Sequence, residues 1–189
     1  MQVRSSSAIY HEIVWAGLRW RSLEYCNVTR KRIGWRFTGM LIMKTKTKPF
    51  GLNYEIVVDR KFETPSLVVE KTKFGGMSRK EIVQRHGAWF IDGKERRDLR
   101  DCTDVDMEAS PVTNTIPIRR IALRVGEKAD LDVVWVRFPT LEVMSMLQSY
   151  KRLGPRIYLY QSSTGFSARI KVDAFGLVTR YGNVWNQVG

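Results

Sequence analysis

Cysteine is scarce in this sequence of 189 residues, and the two that occur, Cys26 and Cys102, lie far apart. Two cysteines cannot form a disulfide framework for a chain of this size, and without a CxxC spacing or a histidine pair they do not indicate a zinc site. The sequence lacks an apolar run near the ~20 residues that a membrane-spanning helix needs. Its opening, MQVRSSSAIYHEIVWAGL, lacks the apolar core and cleavage site of a secretory signal. We therefore expect a soluble, cytoplasmic protein.

The motifs of metal, phosphate and nucleophilic chemistry are missing too. The two histidines, His11 and His86, fit no HExxH or triad pattern. The stretch FGGMSRK lacks the GK[ST] of a phosphate loop, and DCTDVDM lacks the glycine and glutamate of an EF-hand. The sequence thus predicts no metal and no cofactor and favours a protein that is not an enzyme. An enzyme that places Asp104 and Asp106 beside Arg119 stays open as an alternative.

Acidic residues are few relative to basic ones. The chain has 32 Lys and Arg residues against 19 Asp and Glu residues, a net charge of +13. The excess lies at the two ends, because residues 1–50 carry 10 basic and 2 acidic side chains and residues 111–189 carry 11 and 5. Such a distribution favours an anionic partner, either an anionic membrane surface, an acidic ligand or a nucleic acid.

Alternation of apolar and polar residues dominates the chain and predicts strands. Hairpin turns are indicated at Asp92-Gly93, at His86-Gly87 and at Asp173–Gly176. Residues 140–153 fit either a helix or a strand. The sequence predicts a single, mainly β domain over residues 1–189, an antiparallel twisted sheet curled into an open barrel or β-roll with little helix.

The segment TNTIPIRR, Thr113 to Arg120, reads as a strand that carries an unexpected charge. Alternation places Arg119 on the same face as three aliphatic residues of the following IALRV stretch, whereas Arg120 points to solvent. Pro117 within the run indicates an edge or a bulge. The pattern therefore predicts one buried arginine next to one exposed arginine.

A buried guanidinium needs an anion, because burying an unpaired charge costs several kcal/mol. We expect Arg119 to form a bidentate ion pair with a carboxylate of the Asp101–Glu108 stretch, where Asp104 and Asp106 share a strand face. A ligand head group could take the place of that carboxylate. The structural ion pair and the ligand contact both stay open.

Four stretches in this order and spacing resemble the bacterial "Putative glycolipid-binding" family, formerly a domain of unknown function: GLRWRSLEYCNV, GAWFIDGK, DCTDVDMEASPVTNTIPIRRIAL and FSARIKVDAFGLVTRYGNVW. The resemblance extends over nearly the whole chain. It implies a β-roll or open barrel similar to the Lol lipoprotein carriers, which hold acyl chains in a half-barrel. It also implies a non-enzymatic binding protein for a glycolipid or another acyl-chain ligand.

Polar motif positions and aromatic residues supply the candidates for binding such an amphiphile. The aromatic candidates are tryptophans, whose rings suit a site with one apolar and one polar end. The candidate ligand-binding residues are Arg119, Arg120, Asn114, Asp104, Asp106, Glu24, Trp20 and Trp89.

Nucleic-acid binding is the alternative function that the sequence suggests. The stretch RKRIGWRF, Arg30 to Phe37, interleaves basic and aromatic residues. Proteins that bind single strands combine a basic groove with aromatic rings on which bases stack. Without an RNA-recognition motif or a DNA-reading helix, this alternative depends on charge and ring content alone.

Overall fold

A computed structural model describes residues 9–46, 48–73 and 75–188 of the chain. The segment on which the absence of a secretory signal was judged begins at residues 1–8, outside the described residues. No helix among the described residues is long and apolar enough to cross a membrane.

The described residues form fifteen strands and one α-helix, with most strands following one another through short turns. The first eight strands are β1 (Ile9–Gly17), β2 (Arg21–Lys31), β3 (Gly34–Lys44), β4 (Pro49–Asp59), β5 (Ser66–Lys73), β6 (Gly76–Arg85), β7 (Ala88–Ile91) and β8 (Lys94–Glu95). The remaining elements are β9 (Asp104–Met107), α1 (Thr115–Ile121), β10 (Lys128–Val136), β11 (Val143–Gly154), β12 (Ile157–Ser162), β13 (Ser167–Val172), β14 (Val178–Tyr181) and β15 (Trp185–Gln187).

All fifteen strands belong to one sheet, in the order β8-β7-β6-β5-β4-β3-β2-β1-β15-β14-β13-β12-β11-β10-β9. Neighbouring strands are antiparallel except β9 and β10, which pair in parallel and are joined by the crossover that contains α1. The two edge strands, β8 and β9, form no ladder with each other among the described residues, so the sheet is open. The predicted fold class, an antiparallel open curled sheet with little helix, is confirmed.

Period-two alternation explains why these residues form strands, and β4 is the clearest case. Its side chains at even positions from Phe50 to Val58 are buried, and those between them face outward. Successive side chains of a strand point to opposite faces, so this pattern fixes one buried and one exposed face. Three tryptophans fill much of the concave side, and each is at most 1% exposed: Trp15, Trp89 and Trp185.

Tryptophan side chains hydrogen-bond to the backbone of strands or segments that are not their neighbours in the sheet. The indole N–H of Trp15 on β1 donates to the carbonyl of Val178 on β14 at 2.6 Å. The indole N–H of Trp89 on β7 donates to the carbonyl of Cys102, just before β9, at 3.0 Å. Because β7 and β9 lie near opposite edges of the sheet, this second bond ties the two ends of the curl together.

The predicted strand over Thr113–Arg120 is wrong. Residues Val112–Asn114 form a 3₁₀ turn, and α1 begins at Thr115. Pro117 stands in the first turn of α1, where its missing N–H has no helical acceptor to lose. Ala122 ends the helix in the left-handed region with φ of 45°. Proline is compatible with both a strand bulge and the first turn of a helix. In the structure the helix forms, and residues 111–118 are buried.

The predicted hairpin turns are present in the structure. His86 and Gly87 join β6 to β7, Asp92 and Gly93 join β7 to β8, and all four have positive φ as a two-residue hairpin requires. The Asp173–Gly176 turn is also confirmed. Residues 140–153, left open between helix and strand, form strand β11 from Val143 onward.

Candidate functional site

A cavity of about 280 Å³ lies between strands β9, β10, β11, β12 and β14 and the turn that joins β1 to β2. Aromatic rings supply much of its wall, and carboxylate, amide and hydroxyl groups supply the rest. We call it the aromatic cavity. Its lining residues are Arg19, Trp20, Asp106, Met107, Glu108, Ser110, Asn114, Trp135, Met146, Tyr160, Ser162, Thr164, Phe166, Tyr181 and Val184.

Asp106 is one of the two carboxylates that line the aromatic cavity, the other being Glu108, and two side chains hold Asp106 in place. The hydroxyl of Thr113 donates to its Oδ1 at 2.7 Å, and the amide Nε2 of Gln148 donates to its Oδ2 at 2.8 Å. Burial of the carboxyl group raises the pKa of Asp106 to about 6. An ionised carboxylate can accept about four hydrogen bonds, so both oxygens keep capacity for a ligand donor.

Asn114 is fixed by the turn that precedes α1. The phenol of Tyr150 on β11 donates to its Oδ1 at 2.9 Å, and its Nδ2 donates to the carbonyl of Pro111 at 3.2 Å. One N–H of the amide remains for a further acceptor. The aromatic cavity thus offers an oriented acceptor, Asp106, and an oriented donor, Asn114.

Three rings from the β12–β14 region pack edge to face along one wall. The ring centroids of Tyr160 and Tyr181 are 5.7 Å apart at 88°, and those of Phe166 and Tyr181 are 5.8 Å apart at 84°. Burial and the nearby Asp106 carboxylate raise the pKa of Tyr160 above its ordinary value. The phenol therefore stays neutral near pH 7 and keeps its proton as a hydrogen-bond donor.

A second, smaller cleft of about 140 Å³ shares Trp20 and Glu108 with the aromatic cavity. Its other walls are largely apolar, and the rings of Phe50 and Phe138 stack there with centroids 6.2 Å apart. We call it the apolar cleft. Its lining residues are Trp20, Met43, Thr45, Phe50, Glu108, Ala109, Phe138 and Pro139. The aromatic cavity and the apolar cleft therefore meet at Trp20 and Glu108.

Comparison with known proteins identifies the family of the chain. A family model described as "Putative glycolipid-binding" matches residues 12–187. The chain belongs to this family. A crystal structure of a DUF1089 family protein from Pseudomonas aeruginosa is similar, with a TM-score of 0.80 and 28% sequence identity. The match covers 88% of this chain and 92% of that one. A search of curated proteins finds no match.

In this member of the "Putative glycolipid-binding" family, the candidate residue Glu24 lies behind the aromatic cavity rather than in its wall. Its Oε1 accepts from Tyr54 at 2.7 Å and from Ser110, a lining residue, at 2.5 Å. Its Oε2 has no hydrogen-bond partner among the described residues. Complete burial raises the pKa of Glu24 to about 7. Glu24 thus connects strand β2 to the loop that carries part of the cavity wall.

The predicted roles of the two arginines are reversed. Arg120 makes the bidentate ion pair, with its Nε 2.9 Å from Oδ1 and its Nη2 2.6 Å from Oδ2 of the fully buried Asp104. Arg119 is exposed; its Nη1 donates to the carbonyl of Phe175 at 2.7 Å, and its guanidinium lies over the rings of Phe62 and Phe175 at 4.5 and 4.6 Å. On a helix, adjacent side chains diverge by about 100°, so alternation assigned the wrong one.

Among the predicted ligand-binding residues, the aromatic cavity brings together Trp20, Asp106 and Asn114. Arg120 and Asp104 form their own pair outside its lining, Arg119 lies at a separate surface depression, and Trp89 is buried in the core. The structure therefore does not bring Arg119 to the two carboxylates, and the arrangement considered for an enzyme is not assembled by these residues. Among the described residues, no cluster of histidine, cysteine and acidic side chains could hold a metal ion.

Sequence reasoning missed several residues of the site, above all Gln148, Tyr160 and Tyr181. Gln148 did carry a signal, because it stands between Met146 and Tyr150 on the buried face of β11. A buried amide among apolar neighbours needs hydrogen-bond partners and so predicts a polar site. The tyrosines carried no comparable signal, since most buried aromatics only pack.

Proposed function

We propose that this protein binds a glycosylated amphiphile, with a sugar ring in the aromatic cavity and the first part of the alkyl chain in the apolar cleft. One observation carries the proposal: a cavity that combines rings with a carboxylate and an amide adjoins an apolar cleft at Trp20. Ligand sites are typically apolar and aromatic, with a few placed polar groups that fix orientation. The membership of the chain in the glycolipid-binding family supports the same reading.

The chemistry of the aromatic cavity suits a sugar better than a fatty acid head. Sugar hydroxyls donate and accept, so they can bond both the Asp106 carboxylate and the free N–H of Asn114. A fatty-acid carboxylate would instead face the two carboxylates of the lining, Asp106 and Glu108, against one lining cation, Arg19. The volume of about 280 Å³ equals that of roughly nine water molecules at about 30 Å³ each, which matches one monosaccharide ring better than an oligosaccharide.

Isothermal titration calorimetry with octyl β-glucoside, at concentrations below its critical micelle concentration, tests the proposal. We expect saturable binding that is tighter than that of glucose or of octanoate, because each occupies only one of the two compartments. Native mass spectrometry after gentle purification adds an independent readout, a retained ligand of amphiphile mass. An empty protein that takes up no alkyl glycoside, or that binds octanoate as tightly as octyl glucoside, contradicts the proposal.

Asp106→Asn is the matched variant for this titration. Removing the charge weakens a charge-assisted hydrogen bond, worth about 1.5 kcal/mol or more, so we expect about tenfold weaker binding of octyl glucoside. Asp101→Asn is the control, since its carboxylate is 79% exposed and lies outside the cavity lining. An equal effect of the two variants would remove Asp106 from the proposed site.

A further inference from the structure

The outer face of strands β2 and β3 exposes large apolar side chains that the core does not use. Leu23 pairs across the strands with Ile42, and Tyr25 pairs with Met40. Leu23 is 55% exposed and Ile42 is 62% exposed. We call these four residues the outer apolar patch. Soluble proteins expose single apolar residues routinely, but contiguous groups of them mark interaction surfaces.

Basic residues border one end of the outer apolar patch. Arg21 pairs with Lys44 two residues along the strands from the Leu23–Ile42 pair, on the same face. Lys46 and Lys48 follow in the turn between β3 and β4. All four are exposed, and none of them takes part in an ion pair with another described residue. We call them the basic tip. With a rise of about 3.3 Å per residue, Arg21 and Lys44 lie about 7 Å from the nearest apolar pair, within one Debye length at 0.1 M salt.

The basic tip lies beside the site described above. The turn from β1 to β2 carries Leu18, Arg19 and Trp20, directly before Arg21, and Arg19 and Trp20 line the aromatic cavity. Thr45 of the adjoining turn lines the apolar cleft. Leu18 is 54% exposed. Exposed leucine, a tryptophan with a polar edge and basic residues together form the pattern that proteins present to the interface of a bilayer.

We propose that the outer apolar patch and the basic tip dock on an anionic membrane surface. A lipid bilayer with acidic head groups complements both features, since the cations meet lipid charge while Leu23 and Ile42 reach the acyl boundary. A second copy of this chain is the poorer occupant. A two-fold dimer would bring the same surface against itself, so one interface would hold both sets of four basic-tip cations. Docking in this orientation sets the turn that carries Trp20 at the bilayer, where an amphiphile would be extracted or delivered.

Sedimentation with vesicles tests the docking surface without any glycolipid. We expect the protein to bind vesicles of phosphatidylcholine with phosphatidylglycerol and to bind vesicles of phosphatidylcholine alone far more weakly. Added salt weakens binding as the charges are screened, but an apolar contribution persists. No sedimentation with phosphatidylglycerol vesicles at low salt would overturn the proposal.

Two matched variants locate the surface. Replacing Lys44, Lys46 and Lys48 by Gln should weaken vesicle partitioning roughly a hundredfold, at about fivefold for each basic residue near an anionic surface. The control replaces Lys151, Arg169 and Lys171 by Gln, which removes the same charge from the exposed face of β11 to β13. An equal loss in both variants would mean that overall charge, and not this surface, attracts the vesicles.

The apolar half of the proposal has its own variant. Leu23→Ser with Ile42→Ser should remove the part of vesicle binding that survives high salt, while urea denaturation checks that the fold is kept. If this variant instead abolishes a concentration-dependent dimer and leaves vesicle binding unchanged, a second copy is the occupant and the membrane proposal is wrong. Asp106→Asn should bind these vesicles normally, so failure of sugar binding and failure of docking are separable.

Discussion

At the scale of single residues, the pair Arg120 and Asp104 carries the strongest ionic contact of the crossover between β9 and β10. The Asp104 side chain is 0% exposed and that of Arg120 is 23% exposed. Apart from Arg120, Asp104 accepts one further side-chain bond, from the Thr103 hydroxyl at 2.9 Å. Removing the guanidinium therefore leaves a buried carboxylate with most of its stabilisation lost.

Arg120→Ala should lower the free energy of unfolding by about 2–4 kcal/mol, because breaking a largely buried pair strands one charge. Arg119→Ala should cost about 1 kcal/mol, since it loses one hydrogen bond and exposed cation–π contacts with Phe62 and Phe175. Urea denaturation of the two variants measures both values. Arg120→Lys should not restore stability, because an ammonium group cannot make the bidentate contact. A larger loss at Arg119 would contradict the helical placement of the two side chains.

Glu24 makes a second prediction at this scale, on the pH dependence of stability. Its pKa is about 7 in the folded protein and 4.5 in an ordinary environment. The folded state thus retains a proton that the unfolded state releases, so stability falls as pH rises from about 4.5 to about 7. Two and a half pKa units correspond to about 3 kcal/mol.

Glu24→Gln removes this titration. We expect the loss of unfolding free energy between pH 5 and pH 8 to be smaller in the variant than in the wild type by about 2–3 kcal/mol. Asp106, whose pKa is raised in the same direction, contributes equally to both proteins and cancels in the difference. Identical pH profiles from urea denaturation would show that Glu24 is ionised in the folded protein throughout this range.

At the scale of elements, the pairing of β2, β3 and β4 depends on one small residue. Gly39 on β3 stands opposite Cys26 on β2 and Tyr54 on β4. The Tyr54 ring crosses over the glycine to reach Glu24, and a Cβ at Gly39 would lie 2.2 Å from the Cζ of Tyr54. The tyrosine is buried, so it cannot swing aside.

Gly39→Ala should therefore destabilise the protein by about 1–3 kcal/mol through overpacking. Gly51→Ala on β4 is the matched control, because nothing lies within 4 Å of a Cβ there. That change should be neutral or stabilise by up to about 1 kcal/mol, since alanine restricts the unfolded chain. Thermal unfolding of both variants makes the comparison. Equal midpoints would mean that Tyr54 has another way to pack.

The same elements explain what the sequence could and could not predict. A strand such as β4 was predictable because the alternation of its own residues decides which side is buried. The hairpin at Asp92-Gly93 was predictable because the residues of the turn themselves determine its backbone. The helix at 115–121 was not predictable, because Pro117 and a short apolar run are compatible with either a strand or a helix. The aromatic cavity was found only in part, because the meeting of Asp106 with Gln148 depends on how far the sheet curls. Of the candidates, Asp106, Asn114 and Trp20 were placed together, whereas the arginine expected at the centre lies elsewhere.

At the scale of the whole molecule, two outer surfaces carry groups of exposed basic residues that contribute to the net charge of +13. One is the basic tip. The other lies on the outer face of β11 to β14, where Lys151, Arg169, Lys171 and Arg180 are exposed. In the RKRIGWRF stretch, Phe37 is fully buried and Trp35 packs against Phe175 with ring centroids 5.0 Å apart. Because these two rings pack against the core, the RKRIGWRF stretch supports nucleic-acid binding only through its charge.

We therefore predict that a single-stranded oligonucleotide binds weakly at low salt and loses binding steeply as salt rises. About four phosphate contacts to a single strand correspond to a loss of roughly fiftyfold between 50 and 200 mM salt. Binding to phosphatidylglycerol vesicles should fall less over the same range, because Leu23 and Ile42 add a contribution that salt does not screen. Fluorescence anisotropy of a labelled oligonucleotide and vesicle sedimentation, run in the same buffers, give the two slopes. Oligonucleotide binding that resists salt and disappears in Trp35→Ala would reverse this conclusion, since it would show bases stacking on a ring that the structure places against the core.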